Sequence, residues 1–486
     1  VSLPTLQVLF APSVVDENTA GTRFILNVSK LDTGTLGDGA LFYDISDDVR
    51  SVTTRRGRSR SLDRFSTGIA TIVLDNRTRQ YDPTNLSGPY ASPTLGTSGV
   101  VPTRPVIIKA TWNSTQYTLF RGFIDSWDYD YDQSVKDATV TITVSDAFKQ
   151  FGNIIGGLPS AASISSTSSG NVDVVVTGTE GTVVGIDSVS TGTGSNIPVV
   201  AGVEQTPVIG AQDDVAGARF AAILSAINWP DNLRDIDTGH TKLNVQNATQ
   251  TVLQLLQEVA DTEAGDVLIG EDGTVIFADR YHQLTETTAI TSQATFDATT
   301  LSNPFAEVEV KYDDELVGNV VRVSRKNTVA ATGDALIGTT VTVSNVESQS
   351  LFGARYLDRE LPVPSTVGTN TTYGTDQAKG IAGFLASIYA TPELRPASIT
   401  IAPQRSETAL FPQVLGRKIL ERVTVKFTVP GAGTLEKDCF IDGVSHSVTP
   451  ESWSTTFDLK SATQYTGFFI LDNATFGLLD TNKLAF

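Results

Sequence analysis

Methionine is missing from all 486 residues, cysteine occurs once, at Cys439, and histidine three times, at His240, His282 and His446. A single thiol excludes an intrachain disulfide, so the fold is expected not to depend on oxidation, which suits assembly in a reducing cytoplasm. The sequence offers no physical reason for the missing methionine. Phosphate-binding glycine loops, a dinucleotide-binding G-x-G-x-x-G, a zinc-binding H-E-x-x-H and clustered Cys/His are all absent, which removes the usual positive reasons for reading an enzyme or a cofactor protein. Charge is sparse, at 18% of residues, and lopsided: 54 acids against 35 bases give a net charge of −19. An acidic chain of this kind is repelled by phosphate backbones, so stable nucleic-acid binding is not expected. No apolar run approaches the length that spans a bilayer, so no stable membrane insertion is expected. Val1–Phe10 lacks a basic start and a long apolar core, so no secretory signal is expected, and a protein of this kind acting outside a cell would leave by lysis or inside a particle.

Thr, Ser, Val and Gly are abundant and hydrophobic residues reach 40%. This favours β-strands joined by polar turns around several packed cores. The fold class expected is mainly β with α+β insertions. Residues 1–150 read as a first β domain: Thr139–Val144 alternates strictly, Gly68–Leu74 is a dense apolar run, and Arg104–Trp112 with Gln116–Asp132 forms a hairpin about Asn113-Ser114. Residues 151–212 are a Gly/Ser/Thr-rich β insertion. Residues 213–295 form a small α/β domain. It has a helix capped at Asp213 or Asp214 and running to Asn228, and a second capped at Asn247 that carries Val252, Leu255, Leu256 and Val259 on one face. A strand pair follows, turning at Asp272-Gly273. Residues 296–467 return to strands, at Glu307–Tyr312 and Val423–Val429, with helices at Asp376–Tyr389 and Ser350–Leu357. Residues 468–486 are an arm too short to enclose its own apolar side chains. In it, Ile470-Leu471-Asp472 is echoed by Leu478-Leu479-Asp480.

Three clusters are candidates for chemistry. Asp125, Asp128, Asp130 and Asp132 supply carboxylates suited to Ca²⁺, but their alternation with Trp127, Tyr129 and Tyr131 also describes a strand with one acidic and one aromatic face. Gly443-Val444-Ser445-His446-Ser447 has part of a nucleophile elbow without its last glycine, so a buried or turn histidine is the expected reading. Arg55, Arg56, Arg58, Arg60 and Arg64, with Arg50 upstream, are a basic cluster in an acidic chain. It reads as a phosphate contact, a solvated strand edge, or a subunit interface pairing with acidic neighbours, and the interface is the expectation taken forward. Paired carboxylates for glycan hydrolysis can be imagined anywhere among 54 acids, so they single out no site.

Several segments carry a resemblance. Arg56-Gly57-Arg58, Thr71–Asn76 and Tyr81-Asp82-Pro83 resemble the first domain of minor tail, or tail-hub, proteins of long-tailed (siphovirus-like) bacteriophages, particularly those of actinobacteria. Arg104-Pro105, Leu119–Asp125, Leu253–Asp279 with Arg280, Val444-Ser445-His446, Trp453 and Thr455-Thr456-Phe457 continue it, and Leu471-Asp472 onward is similar to the usual ending. The resemblance implies two tail-tube-like β-barrel or sandwich domains with smaller insertions, and a homotrimer whose six tube-like domains mimic a six-fold ring. It implies a structural hub at the virion tail tip, assembled in the host cytoplasm. Its partners would be itself, distal-tail and tube proteins, the tape-measure protein and receptor-binding or other minor tail proteins. DNA would be met only in transit, with no cofactor, metal or catalytic residue. Arg55, Arg56, Arg58 and Arg60 are the expected interface residues, and Phe476, Leu478 and Phe486 are expected to anchor the arm, either on another tail-tip component or as a terminal strand tucked against its own domain. A hexameric distal-tail ring and a cell-wall glycan binder or hydrolase are the alternatives.

Overall fold

The computed structural model describes residues 2–12, 42–92, 96–132, 137–155, 162–166, 172–176, 208–209, 213–244, 246–247, 249–300, 303–328, 335–364, 367, 369–431 and 433–465. It is mainly β, with a large antiparallel sheet and a minority of helix. The first part of the chain contributes β1 (Thr5–Phe10), β2 (Val49–Gly57), β3 (Ser66–Asp75), β4 (Pro105–Trp112), β5 (Thr115–Tyr131) and β6 (Ala138–Ser145), followed by α1 (Ala147–Asn153). In β6, Val140, Ile142 and Val144 are fully buried, so the alternation read from the sequence marks the core face. The β4–β5 hairpin turns at Asn113 and Ser114, both at positive φ, the twist that suits a two-residue hairpin loop. Asp146 caps α1 by accepting from the Phe148 amide at 3.0 Å, and a helix here was not foreseen.

The middle of the chain is α/β. Helix α2 (Ala216–Ala226) starts after Val215, without a side-chain cap, because Asp214 is taken into a short strand with Leu243. Helix α3 (Val252–Glu263) is capped at Thr251 rather than Asn247. There the Gln254 amide donates to the Thr251 hydroxyl and the Thr251 amide to the Gln254 side chain. Its predicted face, Val252, Leu255, Leu256 and Val259, is fully buried, contributing about 1.5–3 kcal/mol per side chain. The chain leaves α3 through Ala264 at φ 56° and Gly265. It then forms the hairpin β7 (Asp266–Ile269) and β8 (Val275–Ala278), as expected. Within 151–212, Ala162–Ser166 pairs antiparallel with Val172–Val176, and Val208–Ile209 pairs antiparallel with Gln246–Asn247.

The last part adds β9 (Thr295–Asp297), β10 (Glu307–Lys311), β11 (Val320–Thr328), β12 (Ala335–Ser344) and β13 (Tyr356–Leu361). It continues with α4 (Tyr373–Tyr389), β14 (Arg395–Ile401), α5 (Glu407–Gly416), β15 (Arg422–Val429), β16 (Gly433–Thr449) and β17 (Ser452–Ser461). Strands β11–β13 form a separate three-stranded sheet, against which α4 packs Ile381, Leu385 and Ile388 in a second core. The short helix expected at Ser350–Leu357 lies earlier, at Val346–Phe352, because Asn345 caps it and Leu357 belongs to β13.

Among the described residues, the main sheet has thirteen strands, in the order Tyr43–Asp44, β1, β4, β5, β6, β3, β2, β16, β17, β14, β10, with β15 on β16 and β9 on β15. The strands of the two β blocks are therefore hydrogen-bonded into one sheet through β2 and β16. The two barrels that the resemblance implied are not closed among the described residues. The strand path is open, with β10 at one end; the second half of β16 keeps β17 on one side and takes β2 of the first block on the other. One core runs continuously beneath both blocks and the α/β part.

Candidate functional site

The place where the two β blocks meet is built on a strand that changes partners, β16, and the strand it turns to, β2. Strand β16 is seventeen residues long. Its first half pairs with β15, from Val429↔Gly433 to Arg422↔Phe440; its second half pairs with β2, from Gly443↔Gly57 to Val448↔Val52. The changeover falls at Asp442, where the pairing of β16 with β17 slips by one residue. Gly57 and Gly443 let the backbones touch there. Gly57 sits at φ +101°, and a Cβ on it would lie 2.2 Å from the Asp442 carbonyl oxygen.

The arginine cluster fixes this joint from inside. Strand β2 alternates, so Val52, Thr54 and Arg56 face the core while Thr53 and Arg55 face solvent. The Arg56 Nε donates to the Leu119 carbonyl at 3.2 Å, and its Nη1 lies 3.6 Å from Glu271 of the β7–β8 turn. Arg58 is 6% exposed. Its Nε meets Asp442 at 3.1 Å, its Nη1 meets Asp266 of β7 at 2.6 Å, and its guanidinium lies 4.2 Å over the Phe65 ring. Burial pushes the Asp266 carboxyl up, but Arg58, Lys460 and His282 outweigh it and hold the carboxyl below its ordinary range. Arg58 thus ties the first block, the second block and the α/β part together. This corrects the expectation for Arg56 and Arg58: both are 6% exposed and are spent inside the chain, Arg56 from an inward position of β2 and Arg58 from just past its end, leaving little surface for a neighbouring subunit. Arg55 and Arg60 remain at the surface, Arg55 3.2 Å from Asp458 and Arg60 2.9 Å from Glu315. Arg64 reaches Gln257 at 3.0 Å and Asp261 on α3, and Arg50 pairs with Asp75 at 3.2 Å and with Asp137.

The other candidates are not brought into a reactive arrangement. Asp125 is held by Lys149 at 2.8 Å and by the Ser145 hydroxyl, and Asp128 accepts from Ser126 at 2.9 Å. Among the described residues, no three His, Cys, Asp or Glu side chains gather where they could hold a metal ion. His446 is buried in β16, its Nδ1 2.9 Å from the Thr455 hydroxyl; burial and the nearby Arg56 charge push its pKa down to about 3. A neutral histidine bonded to a threonine is a packing residue. Phe476, Leu478 and Phe486 lie outside the described residues.

The two blocks are built alike; the resemblance implied two tube-like domains, but the sequence reading did not align one with the other strand by strand. Strands β2, β3, β6, β5 and β4 lie side by side in that order in the first; β10, β14, β17, β16 and β15 do so in the second. Each has a seventeen-residue strand, β5 or β16, paired along one side with the strand after it. The slip in β5–β6 pairing falls at Asp125, as that in β16–β17 falls at Asp442. The residues there are Phe123-Ile124-Asp125 and Phe440-Ile441-Asp442, an identical tripeptide, and a search for it would have aligned the blocks. Each of these aspartates takes a cation, Lys149 or Arg58.

No protein-family model matches this chain, and no curated protein sequence matches it. Among solved structures it is similar to a 43 kDa tail protein of prophage MuSo2 from Shewanella oneidensis, with a TM-score of 0.46, 11% identity, and coverage of 88% of this chain and 97% of that one. A tail protein from Neisseria meningitidis MC58 gives 0.46 and 10%, over 87% and 94%. A component of the E. coli type VI secretion system, described as structurally similar to the T4 bacteriophage tail proteins gp27 and gp5, gives 0.39 and 8%, over 85% and 73%.

Proposed function

We propose that this chain is a structural ring subunit at the tip of a bacteriophage tail: a hub that joins the tail tube to host-recognition proteins and forms part of the channel for the tape-measure protein and DNA. The observation that carries this reading is the pair of like-built β blocks joined edge to edge in one sheet. A chain made of two equivalent units can present six units as three copies, and so match a six-fold tube from below. The net charge of −19 suits a wall past which DNA moves without adhering. The resemblance to tail-hub proteins of long-tailed phages points the same way. On this reading the subunit works mechanically: it is rigid, self-associating and bonded to tube and receptor-binding proteins, with assembly in the host cytoplasm before release in the virion.

Imaging intact particles down the tail axis, with this chain located by a tag, tests the reading. Three-fold density from this chain at the tail tip is expected. Six-fold density would make it a distal ring instead, and absence from the tail would overturn the proposal.

A further inference from the structure

The like-built blocks leave one joint unused. Within the chain, the end strand of the first block, β2, pairs with the far half of the long strand of the second, β16. The corresponding end strand of the second block is β10, and the corresponding half-strand of the first is Ser126–Tyr131 of β5. Among the described residues, no strand pairs with the outer edge of β10. None pairs with the side of Ser126–Tyr131 that faces away from β6; β4 ends its pairing at Phe123. An open edge of this kind is a template for another chain.

We propose that a second copy of this chain fills this joint, its β10 pairing antiparallel with Ser126–Tyr131, so that copies associate head to tail and close into a ring. This rests on the ring reading above and supplies its contact. The register follows from the joint already made. The pairings put Thr71 of β3 and Ser398 of β14 at equivalent places, and opposite them Thr53 of β2 and Glu309 of β10. The slips at Asp125 and Asp442 put Ser126 level with Gly443. Thr53 faces Ser447, so Glu309 is to face Asp130; Lys311 then faces Asp128, Val310 faces Tyr129, Val308 faces Tyr131, and Tyr312 faces Trp127.

The side chains agree with this register. Val308, Val310, Trp127 and Tyr129 all pack against the main core, so each pair lies on one face of the extended sheet, as Thr54 and His446 do at the joint within the chain. Tyr312 and Tyr131, at opposite ends of the paired stretch, are 65% and 57% exposed, among the largest apolar surfaces the described residues leave open. On the other face Lys311, 3.4 Å from Glu309 in its own chain, would stand opposite Asp128 and diagonal to Asp130. The acids left over, Glu309 against Asp130, blunt the edges of a free subunit and restrict pairing to a partner that brings the lysine.

Cys439 is buried, so introduced cysteines report cleanly. The full-length chain carrying Lys311→Cys and Asp128→Cys together, oxidised in the assembled tail, should run as covalent oligomers that collapse to a single chain on reduction. Either substitution alone, or Lys311→Cys with Tyr129→Cys on the opposite face, should stay at the mass of one chain. In an independent arm, Tyr131→Asp with Tyr312→Asp, both on exposed side chains, should abolish self-association without moving the melting temperature of the free subunit. If three-fold density is present in the particle but positions 311 and 128 do not cross-link, the strand joint is wrong and the ring reading stands. If they cross-link and the tail shows no ring of this chain, the joint stands and the hub assignment falls. Cross-linking of the out-of-register control, or self-association unchanged by the tyrosine substitutions, overturns the joint.

Discussion

The joint inside the chain and the open edges at Glu307–Tyr312 and Ser126–Tyr131 occupy the same places in two equivalent units, yet they carry different chemistry. At the inner joint the core-facing positions are Val52, Thr54 and Arg56 against Val448, His446 and Val444, all buried. At the open edges the matching positions hold Val308, Val310 and Tyr312, and Tyr131, Tyr129 and Trp127. A joint closed by folding is never exposed to solvent with its partner missing, so it can use buried polar groups whose counterparts are covalently tethered: Arg58 with Asp442, His446 with Thr455. An edge that must stay soluble on its own is better served by tyrosine, which has an apolar ring and a hydroxyl at home in water, and by charges that discourage random pairing.

Breaking the inner joint should cost most. Replacing Arg58 by alanine leaves Asp442, 2% exposed, as a buried carboxylate without its cation, and should lower unfolding stability by about 3–5 kcal/mol in denaturant titration. Arg58→Lys keeps the charge without the planar fork and should recover only part of that. A loss below about 1 kcal/mol for Arg58→Ala would mean the blocks are held by apolar packing alone.

Acid should weaken the same joint less abruptly. The folded-state pKa of His446 lies at about 3, below its ordinary 6.5, because burial and Arg56 disfavour the charged ring. The unfolded chain therefore binds the extra proton first. The contribution of neutral His446 is complete above pH 6.5 and is lost as pH falls toward 3, reaching a loss of about 2 kcal/mol by pH 5. His446→Gln should flatten this part of the stability–pH curve relative to the parent; parallel curves for the two proteins would remove His446 as its source.

The smallest effect belongs to the outward face of the same strand. Arg55 is 56% exposed in its ion pair with Asp458, so Arg55→Ala should change stability by less than about 1 kcal/mol, and less still at high salt. A change comparable to that of Arg58→Ala would contradict the division of β2 into a core face and a solvent face.

Several elements were legible because their signals are local. The hairpin at Asn113-Ser114 declares itself by turn chemistry, the alternation of Thr139–Val144 by period two, and α3 by apolar residues at helical spacing. Caps were misplaced where a neighbour competed: Asp214 went into a strand, and Thr251 with Gln254 outdid Asn247 as a capping pair. The short helix α5, with Pro412 inside it, gave no clear pattern and was missed. The arginines misled because five of one sign within ten residues read as surface, whereas inward-facing Arg56 and Arg58 each have an acid waiting elsewhere in the fold.

The sequence by itself determined that this protein is built of strands with polar turns, that two β-rich stretches flank a helical one, and which residues face inward in strictly alternating strands such as Thr139–Val144, because side-chain periodicity is a property of a few consecutive residues. Only the tertiary structure decided that β2 and β16 join the two blocks into one sheet, that Arg58 finds Asp442 from 384 positions away, and that Asp125 and Asp442 mark equivalent slips. Strand pairing depends on which edges the packed core brings together, and a backbone edge presents the same N–H and C=O groups whatever its sequence, so no local pattern names its partner.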